Sequence, residues 1–147
     1  MNERIILLVE DNPDDIKLTQ RAFNKSKIAK KINLEIVQNG DDALDFLFGE
    51  GAYIYRNTRI MPAVILLDLN LPRINGFQIL ERIRADKRTK LIPVIVLTSS
   101  NEEQDIKKAY ALGANSYIRK PVDFKKFTDV AQHMGLYWVV LNEPPPN

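Results

Sequence analysis

The chain of 147 residues contains no cysteine, which excludes disulfides, thiol chemistry and sulfur-ligated zinc. A single histidine, His133, gives no basis for a histidine-rich metal centre and reads as a helix-surface residue. Net charge is also scarce. The 21 Lys and Arg residues against 19 Asp and Glu give +2 with the signs intermixed, so nothing singles out a nucleic acid as partner. The Lys30-Lys31 and Lys107-Lys108 pairs are too short to form a basic patch. Long apolar runs are missing as well: Ile5 to Val9 stops at two acids, too short for a signal peptide or a membrane span. These absences leave a cytoplasmic protein of ordinary composition, 45% apolar and 27% charged, large enough for one domain with a real core.

What the chain does have is a series of short, uninterrupted apolar runs that stop at polar residues. Ile5 to Val9 ends in Glu10-Asp11, Ala63 to Leu67 ends in Asp68, and Pro93 to Leu97 ends in Thr98. Leu34, Ile36 and Val37 make a shorter strand, and Ser116-Tyr117-Ile118 a last one running into Arg119-Lys120-Pro121. Continuous runs rich in β-branched residues read as strands buried on both faces.

Helical spacing fills the intervals. Asn12-Pro13 opens a helix carrying Ile16, Thr19, Ala22 and Phe23, and Gly40-Asp41 opens a second with Ala43, Leu44, Phe46, Leu47 and Phe48. Phe77, Ile79, Leu80 and Ile83 follow Asn75 and Gly76. Ser100 and Glu103 have the spacing of a capping box ahead of Ile106, Ala109 and Tyr110, with Gly113 closing that helix. Residues 49–61 show no clear period and read as a long loop, functional or mobile. Strand and helix thus alternate five times, which implies an α/β fold with a doubly wound parallel sheet. One domain is expected over residues 1–142, with 143–147 as a tail.

In the last helix, Phe124, Phe127, Ala131, Met134, Trp138 and Leu141 form one apolar seam for docking on the sheet. Leu136, Tyr137, Val139 and Val140 fall off that seam. A helix apolar all round has more surface to bury than one sheet covers, so these four are candidates for a C2 dimer interface. The other reading is a flap folded over its own sheet.

In a parallel sheet all strand C-termini share one edge, where open sheets bind ligands. Glu10, Asp11, Asp68, Thr98 and Lys120 therefore converge. Three carboxylates crowd together only if neutralised, and Mg²⁺ suits them because it takes a few carboxylates and retains waters. The backbone carbonyl of Asn70 is placed to be a further ligand. Lys120 supplies a mobile cation for an anion, and Thr98 a hydroxyl. A cation, a lysine and a hydroxyl around one carboxylate make a site for a phosphoryl group on Asp68.

This set, Val9-Glu10-Asp11-Asn12, Leu66-Leu67-Asp68-Leu69-Asn70-Leu71-Pro72 with Asn75-Gly76, Leu97-Thr98-Ser99 and Tyr117-Ile118-Arg119-Lys120-Pro121, resembles the receiver domain of two-component response regulators. The resemblance implies a flavodoxin-like (βα)5 sheet of strand order 2-1-3-4-5. It also implies that Asp68 takes phosphate from a histidine kinase, with Mg²⁺ held by Glu10, Asp11, Asp68 and the Asn70 carbonyl. Thr98 and Lys120 would contact the phosphoryl group, Lys120-Pro121 would be a cis peptide, and Tyr117 would swing inward with Thr98. The enlarged segment before the Asp68 strand, and the lack of an output domain after Trp138, are similar to the small stand-alone regulators of cyanobacterial and bacterial phytochromes, which implies a phytochrome-type kinase as partner.

Two other classes compete. A phosphatase with an aspartyl-phosphate intermediate typically has a second aspartate two residues after the nucleophile, where this chain has Asn70. A flavin-binding electron carrier needs a phosphate-cradling loop after the first strand, where Glu10-Asp11 would repel phosphate.

Overall fold

The apolar runs become the five strands of one parallel sheet in the computed structural model, which describes residues 3–120 and 123–146. They are β1 (Arg4–Val9), β2 (Ile32–Val37), β3 (Val64–Leu67), β4 (Val94–Thr98) and β5 (Ser116–Arg119), in the expected order β2-β1-β3-β4-β5. Five helices connect or follow them: α1 (Pro13–Asn24), α2 (Gly40–Phe48), α3 (Gly76–Ala85), α4 (Glu103–Ala111) and α5 (Phe124–Gly135).

Alternate strand residues feed two separate cores, which is why the runs are apolar without a break. Leu7, Val9, Ile65, Leu67, Val94 and Val96 pack under α2, α3 and α4. Ile6, Leu8, Val64, Leu66, Ile95 and Leu97 pack under α1 and α5. Side-chain caps start most of the helices. Asn12 accepts from the backbone of Asp14 and Asp15, Asn39 from Asp42, and Asn75 and Gln78 form a reciprocal capping box.

Two segments differ from the sequence expectation, and the long loop after α2 has an anchor that the sequence did not show. No capping box forms at α4, because Ser100 sits two residues before the cap position and its hydroxyl donates to Asp105 Oδ2 at 2.6 Å. The segment 49–63 is tied down by Arg56. Its guanidinium donates to the carbonyls of Phe46 (2.6 Å), Leu47 (3.4 Å) and Ile60 (2.7 Å) and lies 4.2 Å over the Phe46 ring. One cation thus satisfies the orphan carbonyls at the end of α2 and gathers the loop around them.

The second difference lies at the C-terminus, where α5 passes into a π-helical stretch, Leu136–Leu141. The wider turn rotates the side chains away from the 3.6-residue seam. Val139, expected on the free face, is 5% exposed and packs in the α1/α5 core, whereas the seam residue Leu141 is 63% exposed. Leu136, Tyr137 and Val140 remain exposed. Among the described residues no helix is long and apolar enough to cross a membrane.

Candidate functional site

The register of β1 and β3 decides what meets at the sheet edge. Val9 pairs with Leu67, and pairing continues one residue beyond, with the Asp68 amide donating to the Val9 carbonyl at 3.1 Å and the Glu10 amide to the Val37 carbonyl at 3.0 Å. Glu10 and Asp68 are thereby fixed side by side at the strand tips. Glu10, Asp11 and Asp68 each present a carboxylate oxygen within 4.8 Å of the others. Glu10 and Asp68 are buried, and Asp11 is the most open of the three.

Gly76 makes this tip possible. A Cβ there would lie 2.4 Å from the Asp68 carbonyl oxygen and 2.7 Å from Leu69 Cα, so α3 can begin against the acid's own backbone only without a side chain. The Asn70 amide donates to Asp68 Oδ1 at 3.2 Å and orients one carboxylate oxygen.

Lys120 reaches into the acidic group from the end of β5, its own amide anchored on the Thr98 carbonyl at 2.8 Å. The ammonium pairs with Glu10, with Asp15 Oδ2 at 2.8 Å and with Asp68 Oδ2 at 3.2 Å, and its side chain is 10% exposed. Burial alone would lower the lysine pKa, but the ion pairs with Asp15 and Glu10 and the charge of Asp68 outweigh it and hold the group above its ordinary range. Glu10 moves the other way for a carboxyl: burial pushes it up to about 7, with the Lys120 bond opposing and Asp68 adding to the rise. One ammonium does not balance four carboxylates. The hard oxygen donors of Glu10, Asp11 and Asp68 suit a divalent cation, and this is an acidic metal site.

Thr98 closes β4 fully buried, and its Oγ1 has no hydrogen-bond partner among the described residues. Leaving a buried hydroxyl unpaired is unfavourable, so the group is poised for an acceptor. Tyr117 is half-buried, and its hydroxyl donates to the Ser100 carbonyl at 2.9 Å across the β4–α4 loop. Asn70 is exposed beside Asp68. The Lys120-Pro121 bond expected to be cis involves Pro121, which lies outside the described residues. His133 is exposed on α5 and has no part in the pocket.

Sequence reasoning missed Asp15. It stands in the first turn of α1, four residues after Asp11, on a helix that begins at the same sheet edge. Its place in the first turn of a helix that starts directly after Glu10-Asp11 was the available signal.

The family model of the response regulator receiver domain matches residues 6–132. Response regulator Rcp1 of Synechocystis sp. is 36% identical over 136 residues, covering 92% of this chain and 89% of that one. The crystal structure of the Mn²⁺-bound form of a response regulator Rcp1 superposes with a TM-score of 0.86 at 35% identity, covering 97% of this chain and 99% of that one. The phosphorylated cyanobacterial phytochrome response regulator RcpA gives a TM-score of 0.88 at 35% identity, with 98% and 99% covered. The bacteriophytochrome response regulator RtBRR gives 0.77 at 46% identity, with 98% and 85% covered. A parallel sheet in the order 2-1-3-4-5, an acidic pocket at its carboxyl edge and this match across most of the chain agree, and the chain belongs to the receiver-domain family of response regulators.

Proposed function

We propose that this protein is a phosphorelay switch in which Asp68 accepts a phosphoryl group from the phosphohistidine of a histidine kinase of the phytochrome type. The observation that carries the reading is the Lys120 ammonium 3.2 Å from Asp68 in a pocket with two further carboxylates. An Asp68 carboxylate oxygen attacks phosphorus, and the histidine nitrogen leaves. Glu10, Asp11, Asp68 and the Asn70 carbonyl would hold Mg²⁺, which when bound supplies positive charge against the phosphoryl oxygens.

The remaining work falls to the chain's own groups. Lys120 donates to a phosphoryl oxygen through a proton not needed by Glu10 or Asp15. Thr98 turns its unpartnered hydroxyl to another, and Tyr117 exchanges its bond to the Ser100 carbonyl for the space Thr98 vacates. This biases the face formed by α4 and β5 between two packings. The protein catalyses its own phosphorylation and dephosphorylation in the cytoplasm and turns over no separate substrate.

Leu136, Tyr137 and Val140 form the part of the expected dimer surface that is exposed, and they pack against a second copy. Light scattering at high concentration should give a dimer mass, and a monomer mass removes this part of the proposal.

The phosphoryl reading is tested with Asp68→Asn. Wild-type protein incubated with acetyl phosphate and Mg²⁺ should gain a phosphoryl adduct by intact mass. The variant should gain none while keeping the wild-type circular dichroism spectrum. An adduct of equal yield on the variant sinks the assignment.

A further inference from the structure

Lys120 has three protons and three carboxylate partners, and the partners are not equivalent. Glu10 and Asp68 belong to the cluster able to bind a cation; Asp15 does not. Once Glu10 and Asp68 turn their charge to a cation and to phosphoryl chemistry, Asp15 is the one partner of the three with nothing else to bind.

Both ends of the Asp15–Lys120 pair are fixed by backbone. The Asp15 amide donates to the Asn12 cap at 3.1 Å, and its carbonyl accepts from the Thr19 hydroxyl at 2.8 Å. Lys120 is fixed by its amide bond to Thr98. A lysine side chain has four rotatable bonds and readily relaxes toward water, so a rigid anchor decides how often the ammonium stands near Asp68.

We propose that Asp15 is a positioning residue, which keeps the Lys120 ammonium beside Asp68 while Glu10 and Asp68 are engaged elsewhere. The proposal rests on the reading of Asp68 as phosphoryl acceptor. It differs in sign from a purely electrostatic role. A carboxylate acting only through its field repels an anionic phosphodonor, so its removal would speed uptake, and Asp15→Asn would match Asp15→Ala. A carboxylate acting as an anchor does the reverse, and the asparagine oxygen keeps part of the anchor.

The test measures three quantities on the full chain of wild type, Asp15→Ala and Asp15→Asn. The first is the rate of uptake from acetyl phosphate at saturating Mg²⁺, the second the Mg²⁺ dissociation constant by calorimetry. The third is the rate of reductive methylation of Lys120 at saturating Mg²⁺, with Glu10 and Asp68 engaged by the cation, read by peptide mass spectrometry. Asp15→Ala should slow uptake about tenfold and Asp15→Asn about threefold, with the Mg²⁺ constant changed by no more than about twofold. Methylation of Lys120 should be fastest in Asp15→Ala and intermediate in Asp15→Asn.

Uptake in Asp15→Ala equal to or faster than wild type overturns the proposal. So does a loss explained wholly by weaker Mg²⁺ binding, or unchanged methylation of Lys120. If wild-type protein takes up no phosphoryl group, the reading of Asp68 fails, while the methylation series still decides whether Asp15 holds the lysine.

Discussion

Two cations tie loops together at opposite edges of the sheet, and they do it with different partners. At the carboxyl edge Lys120 faces Glu10, Asp15 and Asp68. At the amino edge Arg84 donates to the carbonyls of Gly113 (2.9 Å), Lys90 (2.9 Å) and Ile92 (2.8 Å) and to Asn115 Oδ1 (2.8 Å), which also accepts from the Val94 amide. Gly113 permits the contact: at φ +105° it takes a conformation few other residues adopt, and a Cβ there would lie 2.9 Å from the Arg84 side chain.

The Arg84 partners are neutral oxygens with no competing use, held in a planar fork. Those of Lys120 are anions, and a divalent cation would also claim two of them, Glu10 and Asp68. Arg84 is therefore a fixed strut, and Lys120 an exchangeable contact in the same sheet. Their pKa directions are opposite, as the partners require: burial lowers Arg84, whereas carboxylate partners raise Lys120 against the effect of burial.

Exchanging each cation for methionine breaks this contrast most sharply. Lys120→Met should cut phosphoryl uptake about a hundredfold, because the phosphoryl oxygens lose a charged donor. Arg84→Met should leave the uptake rate near wild type and instead lower the stability by about 2–3 kcal/mol, measured as a urea midpoint shift at constant slope. A large uptake defect in the arginine variant would erase the distinction between the two edges.

The next effect concerns protons. Glu10 is raised from 4.5 to about 7, so between those values the folded state holds a proton that the unfolded chain has lost. The stability contributed by this group is therefore full at low pH and declines as pH rises through that window. A metal must displace the same proton, so Mg²⁺ affinity should rise about tenfold per pH unit well below 7 and flatten above it. Calorimetry in buffers of different ionisation heat should record proton release at pH 6 and little at pH 8. Equal release at both would contradict the assignment to Glu10.

The smallest effect is expected from Arg56, the other forked cation. Arg56→Ala should lower stability by about 1–2 kcal/mol and speed amide exchange across residues 49–63, with uptake from acetyl phosphate unchanged. Unaltered exchange in that segment would deny Arg56 its organising role.

These comparisons also separate what was legible in the sequence from what was not. Strands buried on both faces leave unbroken apolar runs, so the parallel sheet and the polar residues that end each run could be read, while the strand order came with the receiver resemblance. Glu10, Asp68, Thr98 and Lys120 were visible because each terminates such a run. Contacts made to backbone carbonyls leave no residue pattern, which hid Arg56 and Arg84. Asp15 was hidden because its partner is fixed only by a lysine rotamer 105 residues away. Gly76 stood in the sequence only as the residue ahead of a helix, yet it lets α3 approach the Asp68 carbonyl. The C-terminus misled because a 3.6-residue period was assumed where the helix widens, which moved Val139 into the core and Leu141 out of it.

The central claim is that metal-assisted phosphoryl transfer lands on Asp68. Peptide mapping of wild-type protein treated with acetyl phosphate, with Mg²⁺ or with excess chelator, tests it most directly. The account predicts one adduct, on the peptide bearing Asp68, formed with Mg²⁺ and absent in chelator. An adduct undiminished by chelator, or located on another residue, would contradict it.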